Sequence, residues 1–126
     1  MKNIFLLAIV GLVLSSFRFQ SDTDAIIAAL KSADAQQTGK YFDDYVDIKL
    51  LDKNEVKSMG RNQATLALKA FFAETGVKGF EKLSERELGN TMYLAGKLLN
   101  NGKGNNITIM LRLKDGRRQI ITLRIS

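Results

Sequence analysis

The order of patterns along the sequence predicts a single α+β domain, with helices in the first half of its folded part and strands in the second. Helical spacing of apolar residues appears at residues 22–39 and 62–75, and strand patterns prevail from residue 79 onward. The part of the chain that follows an apolar N-terminal segment has about 105 residues, which is the size of one domain.

The N-terminal segment has the layout of a secretory signal. Lys2 supplies a basic start, an apolar run extends over Ile4–Leu14, and two serines follow it. The run has 11 residues, whereas a permanent membrane-spanning helix needs about 20. We therefore expect a signal peptide over residues 1–20, export to the periplasm or out of the cell, and a domain over 21–126 without a stable membrane span. An uncleaved N-terminal anchor is the alternative.

The first helix is predicted to begin at Asp22, a good N-cap, and to end at Gly39, a common type of stop. Its apolar stripe consists of Ala25, Ile26, Ala29, Leu30 and Ala33. The aromatic segment Tyr41–Tyr45 is expected to form a helical turn. Val46–Leu50 alternates apolar and polar residues, which predicts a strand.

A second helix is predicted from about Asn62 to Thr75, and Gly76 closes it. Its periodic face consists of Ala64, Leu66, Ala67, Ala70, Phe71 and Glu74. Leu68 and Phe72 widen the apolar surface, so we expect this helix to be largely buried.

The C-terminal half contains clear strand patterns at Thr91–Leu99, Ile107–Leu113 and Arg118–Ser126. The polar residues Asn100–Asn105 form a turn between the first two. Phe80–Leu88 is ambiguous, because its apolar residues also fit helical spacing.

The turn between the last two strands decides which side chains share a face. A two-residue turn at Asp115–Gly116 would mix core and solvent residues on one face. A three-residue loop at Lys114–Gly116 instead pairs Ile109 with Ile121 and keeps the apolar face consistent. We therefore predict the three-residue loop.

The composition excludes several kinds of chemistry. The chain contains no cysteine and no histidine. It therefore has no disulfide framework, thiolate metal site, cysteine nucleophile or Ser-His-Asp site, and the commonest general base and metal ligand are missing. We predict no cofactor and no metal site.

Several short segments resemble a family of small exported bacterial proteins that is known only as a domain of unknown function. These segments are Val46–Ile48, Gly60–Ala64, Leu68–Phe72, Tyr93–Leu98 and Ile121–Ile125. The family is similar in fold to the cone-shaped domains of nuclear transport factor 2 and the ketosteroid isomerases. The resemblance implies a curved antiparallel β-sheet of about four to five strands packed on two N-terminal helices, with Phe80–Leu88 as one of the strands.

We expect a binding or accessory module rather than an enzyme. A curved sheet roofed by helices encloses a concave apolar site for a small ligand, and the open sheet face is a second surface for a protein partner or a homodimer. The candidate pocket residues carry an apolar body with a polar tip, or a carboxylate: Tyr41, Tyr45, Tyr93, Asp43 and Glu87. The alternative is that the tyrosines only pack.

A carboxylate-dependent, isomerase-like enzyme is a second hypothesis, because a carboxylate can act as general acid or base. Its candidate residues are Asp43, Asp44, Asp47 and Glu87. The alternative is that these carboxylates only solvate the surface.

A third hypothesis is the binding of a polyanion such as lipopolysaccharide, nucleic acid or an acidic glycan. Residues 97–126 hold seven basic residues and one acidic residue, although the rest of the folded part is slightly acidic. The candidates are Arg112, Lys114, Arg117, Arg118 and Arg124. In the predicted register Arg112 lies opposite Arg118, so their like charges require solvent or an anionic partner. A charged sheet edge that discourages aggregation is the alternative.

Overall fold

The computed structural model describes residues 21–102 and 104–126, so the predicted signal peptide lies outside the described residues. The helices are α1 (Asp22–Lys31), α2 (Ala35–Gly39) and α3 (Arg61–Thr75). The strands are β1 (Phe42–Leu50), β2 (Val56–Gly60), β3 (Gly79–Leu88), β4 (Thr91–Leu99), β5 (Gly104–Lys114) and β6 (Arg117–Ile125). The predicted α+β class is confirmed.

The six strands form one curved, unclosed sheet in the order β2-β1-β6-β5-β4-β3. This is one or two strands more than predicted, because β2 has no clear pattern in the sequence. The β1–β6 pair is parallel and the other pairs are antiparallel. Helix α1 contacts both β3 and β6, which are three positions apart in the sheet, so the sheet must curl around it.

The first predicted helix is in fact two helices. Ser21, and not Asp22, is the N-cap of α1, and its hydroxyl accepts a backbone hydrogen bond at 3.1 Å. Ala33 has a φ of 53°, a left-handed conformation that a helix cannot contain, so the helix does not run on to Gly39. Asp34 then caps α2, accepting a backbone hydrogen bond at 3.0 Å.

Gly39 lies at the contact between α2 and α3, so its role is not limited to the predicted helix stop. It is the last residue of α2, and a Cβ at this position would lie 2.1 Å from Oγ1 of Thr65 on α3. The missing side chain therefore allows α2 to pack directly against α3.

The predicted helical turn at Tyr41–Tyr45 is wrong, because the chain is already extended from Phe42 onward. Phe42 lies beside Ile120 in the sheet, and the Ile120 N–H donates a hydrogen bond of 2.6 Å to the Tyr41 carbonyl. Pairing with β6 thus overrides any local preference for a turn.

Helix α3 is confirmed, and Gly76 ends it with a φ of 67°. Its buried stripe consists of Ala64, Leu68, Phe71 and Phe72. Leu66 and Ala70, which we placed on the packed face, are exposed. The helix is rotated from the predicted orientation so that the two phenylalanines contact the core.

The β5–β6 turn has two residues and not the predicted three. Asp115 and Gly116 both have positive φ, 53° and 78°, which is the backbone of a type I′ hairpin turn. A bulge between Ile120 and Thr122 then inserts one extra residue, so that Ile109 pairs with Leu123. The bulge restores the apolar face that a plain two-residue hairpin would have mixed.

Candidate functional site

The face of the sheet that the helices cover is filled by side chains. Apolar residues from the helices and strands form one buried cluster there, and its fully buried members include Phe42, Leu68, Leu94 and Ile109. Most of the concave site between sheet and helices that the resemblance implies is therefore occupied by the protein's own core, and a recess of about 100 Å³ remains between β1, β2 and α3.

We call the opposite face of the sheet the outer face. It consists of strand residues that alternate with the buried ones. One row of five side chains crosses it from β3 to β1 and consists of Arg86, Tyr93, Met110, Thr122 and Asp47. Tyr93 and Met110 are half-buried, although they point away from the core.

A trough of about 320 Å³ lies on the outer face. Its lining combines an aromatic ring, a thioether, two threonine hydroxyls and four charged side chains. The lining residues are Asp47, Glu55, Lys57, Tyr93, Thr108, Met110, Thr122 and Arg124. Ligand pockets span roughly 300–1,000 Å³ and combine apolar walls with a few polar groups, so this outer trough has the size and chemistry of a small one.

The two carboxylates of the outer trough already have partners within the protein. Oδ1 of Asp47 accepts a hydrogen bond of 2.9 Å from the Ser58 N–H. Oε1 of Glu55 lies 2.5 Å from a terminal guanidinium nitrogen of Arg124. Lys57 has no carboxylate within 4 Å among residues 21–102 and 104–126.

Several predicted site residues meet instead at one end of the sheet, where the β3–β4 and β5–β6 turns lie; we call it the turn end. There Glu87 forms an ion pair with Arg118, and Nζ of Lys114 lies 3.5 Å from Oδ1 of Asp43. The Arg118 backbone N–H donates a hydrogen bond of 2.9 Å to Asp22. Two candidate carboxylates and two candidate polyanion-binding cations thus neutralise each other in pairs.

The remaining tyrosine candidates do not converge on one pocket. Tyr41 is half-buried against the core, and Tyr45 is 66% exposed. Asp44, a candidate for the enzyme hypothesis, accepts a hydrogen bond of 2.7 Å from Arg61.

The basic candidates are divided between two places. Arg112 and Arg124 lie on the outer face, whereas Lys114 and Arg118 are paired at the turn end. Arg117 is exposed directly after the turn. Arg112 lies opposite Gln119 and not opposite Arg118 as predicted, because the turn is one residue shorter.

Sequence reasoning missed most of the outer trough. Lys57 was not found because β2 was not predicted. Thr122 lies on the polar face in the predicted hairpin as well as in the structure, but its residue type did not mark it as a candidate. Met110 did leave a signal: it is the apolar residue between Thr108 and Arg112 on the polar side of β5.

The family model for DUF4783, a domain of unknown function, matches residues 23–126. The chain belongs to this family. The match covers almost all of the described residues and confirms the resemblance, and comparison with curated proteins finds no match.

Solved structures agree with this assignment. A DUF4783 protein from Bacteroides uniformis is 21% identical with a TM-score of 0.77, over 84% of this chain and 96% of that one. A DUF4783 protein from Bacteroides ovatus is 22% identical with a TM-score of 0.74, over 80% and 90%. An uncharacterised cystatin-fold protein from Novosphingobium aromaticivorans is 14% identical with a TM-score of 0.60, over 82% and 93%. At these identities the comparison establishes the fold, which is cystatin-like and similar to nuclear transport factor 2.

Two further features concern residues 21–102 and 104–126. Acidic side chains in this part of the DUF4783 chain do not gather in threes around a point where a metal ion would fit. None of its helices has both the length and the apolar character needed to cross a bilayer.

Proposed function

We propose that this DUF4783 protein is a non-catalytic binding module and that it binds its ligand in the outer trough. The observation that carries the proposal is a recess of about 320 Å³ on the side of the sheet that the core does not use. The helix-covered side is packed with apolar side chains apart from a recess of about 100 Å³, so the outer face offers a ligand more space than the inner face does.

The chemistry of the outer trough supports binding. The Tyr93 ring offers an apolar surface and a hydroxyl, and Met110 is a flexible side chain that adapts to different ligand shapes. Both are half-buried without belonging to the core cluster, so neither is needed to fill it.

The other hypotheses have less support from the same geometry. A general acid or base must reach its substrate, but Asp43, Asp44 and Glu87 each contact a basic side chain. The fourth candidate, Asp47, lines the outer trough, and its Oδ1 accepts a backbone hydrogen bond from β2. A polyanion needs a continuous row of free cations, but Lys114 and Arg118 have carboxylate partners. The polyanion and enzyme hypotheses therefore rank below binding in the outer trough.

The proposal is tested by an NMR screen of a fragment library against the protein. We expect the backbone shifts caused by ligands to centre on Tyr93, Thr108 and Met110. Tyr93→Ala and Met110→Ala should each weaken binding about tenfold or more, because each removes a wall of the trough. Leu66→Ala is the control, since Leu66 is an exposed apolar residue on α3. Ligand shifts centred on the helices or the turn end, with these variants binding normally, would overturn the proposal.

A further inference from the structure

We infer that the ligand of the outer trough is a small organic anion: a carboxylate or phosphate group attached to an apolar body. This inference rests on the proposed function and adds the class of ligand. It is argued from the hydrogen-bonding groups that the protein leaves unused, from the charges around the trough and from its volume.

The unused polar groups in the outer trough are mainly donors. Asp47 accepts a backbone hydrogen bond. Glu55 forms an ion pair with Arg124, although its buried Oε1 accepts no hydrogen bond in the described part of the chain. Arg124 has five N–H donors and uses one terminal nitrogen in this contact. The Lys57 ammonium adds three donors and has no carboxylate within 4 Å in the described part of the chain.

The charge around the outer trough favours an anion. Its lining contains two acidic and two basic residues and is balanced. Beyond the lining, the outer face of β3, β4 and β5 carries three basic residues, Arg86, Lys97 and Arg112. It carries one acidic residue, Glu81, which lies opposite Lys97. A balanced recess within a positive surface attracts anions and repels cations.

The same charges disfavour a second copy of the chain as the occupant. Two outer faces in contact would bring Arg86, Lys97 and Arg112 of one copy towards their equivalents in the other. Like charges placed together at an interface are unfavourable, so a symmetric contact through this face would lose affinity.

The volume and the lining define the apolar part of the ligand. A space of about 320 Å³ corresponds to roughly ten water molecules, which suits a compact molecule. The Tyr93 ring and Met110 form the apolar walls, and a thioether packs well against an aromatic ring. We therefore expect an aryl or short alkyl body beside these two residues and the anionic group near Lys57 and Arg124.

Three probes with one body and different charges test the inference: 4-phenylbutyrate, 4-phenylbutyramide and 4-phenylbutylamine. Their affinities are measured by NMR titration of the outer-face amides. We expect the acid to bind about tenfold more tightly than the amide, because only the acid brings a negative charge to Lys57 and Arg124. The amine should bind most weakly, because the positive outer face repels it. Raising the salt concentration should weaken the binding of the acid and leave the binding of the amide unchanged.

Matched variants locate the charge effect. Lys57→Gln should lower the affinity for the acid about fivefold or more and leave the affinity for the amide unchanged. Tyr93→Ala should lower the affinity for both probes. Lys69→Gln is the control, because it makes the same change in net charge on α3, away from the trough. Arg124→Gln alone would leave the Glu55 carboxylate without its ion-pair partner. The double variant Arg124→Gln/Glu55→Gln therefore removes both charges of the pair together.

The outcomes separate the two proposals. The anion inference is wrong if the amide or the amine binds the outer trough as tightly as the acid. It is also wrong if the acid causes no shift of the outer-face amides at the highest concentration of the titration. The fragment screen can still find other ligands in the trough, so the proposed function would survive that result. A dimer that Met110→Ala dissociates would identify a second copy as the occupant and would also overturn the inference.

Discussion

The two faces of the sheet are built from neighbouring residues of the same strands, yet they meet different physical demands. Along β5, Ile107, Ile109 and Leu111 are buried against the helices, while Thr108 and Met110 between them face outward. The inner residues must fill space without gaps, because unfilled volume in a core costs stability. The outer residues do not fill the core, so core packing does not restrict which side chains they carry.

The separation of the faces depends on one irregularity in β6. Because the side chains of a strand alternate, a hairpin register that is wrong by one residue exchanges the two faces. The bulge between Ile120 and Thr122 turns Leu123 and Ile125 back towards the core. The same bulge places Thr122 on the outer trough, so one local feature completes both the core and the candidate site.

The sharpest test of the comparison uses adjacent residues of β5. Ile109→Ala should lower the free energy of unfolding by about 2–5 kcal/mol, because it leaves a cavity beside fully buried neighbours. Met110→Ala should lower it by about 1 kcal/mol or less, because Met110 is outside the core cluster. Urea denaturation of both variants and the parent protein measures the difference.

A similar loss in these two variants would show that the outer face contributes to stability as much as the inner face does. The slope of the unfolding transition with urea serves as the control. It should be the same in the three proteins if each unfolds in one step from the same compact state.

A second test uses adjacent residues of β4. A Cβ at Gly96 would lie 2.4 Å from the Glu81 carbonyl oxygen and 2.4 Å from a ring carbon of Phe80. Gly96→Ala should therefore cost about 1–3 kcal/mol of unfolding free energy, since a backbone oxygen cannot move aside easily. Ala95 lies on the outer face, and Ala95→Ser should change stability by about 0.5 kcal/mol or less.

Thermal unfolding of both variants checks this prediction. A Gly96→Ala protein as stable as the parent would mean that Phe80 and β3 shift freely. In that case this end of the sheet would be less tightly packed than the inner face near Ile109.

The fold could be predicted from the sequence to the extent that single elements carry their own pattern. The strand at Thr91–Leu99 has the predicted bounds, and the α3 helix ends at Gly76 as predicted. The sequence failed where a tertiary contact decides the structure. Phe42 pairs with β6 and Tyr45 pairs with β2, so Phe42–Tyr45 is extended, and β2 itself consists mainly of exposed residues without a clear alternation.

The candidate site was harder to predict for the same reason. Tyr93, Asp47 and Arg124 were identified as functional candidates, each in a different hypothesis, and in the structure they line one trough. Their proximity depends on the order of strands in the sheet and on the bulge at Ile121, and neither has a signature in composition or spacing. Pairs such as Glu87 and Arg118, far apart in sequence, depend on the curvature of the sheet.

The smallest predicted effect tests the turn that sets the register of both faces. Gly116 has a φ of 78°, so Gly116→Ala should cost about 1 kcal/mol of unfolding free energy. Asp115→Asn should be slightly stabilising, since Asn-Gly is the preferred pair for a type I′ turn. A loop of three residues would not need this pair, so Asp115→Asn would then give no gain and Gly116 alone would matter. Urea denaturation gives the stabilities. NMR contacts between Leu111 and Ile120 check that the register of β5 and β6 is unchanged, because a slip would exchange the inner and outer faces.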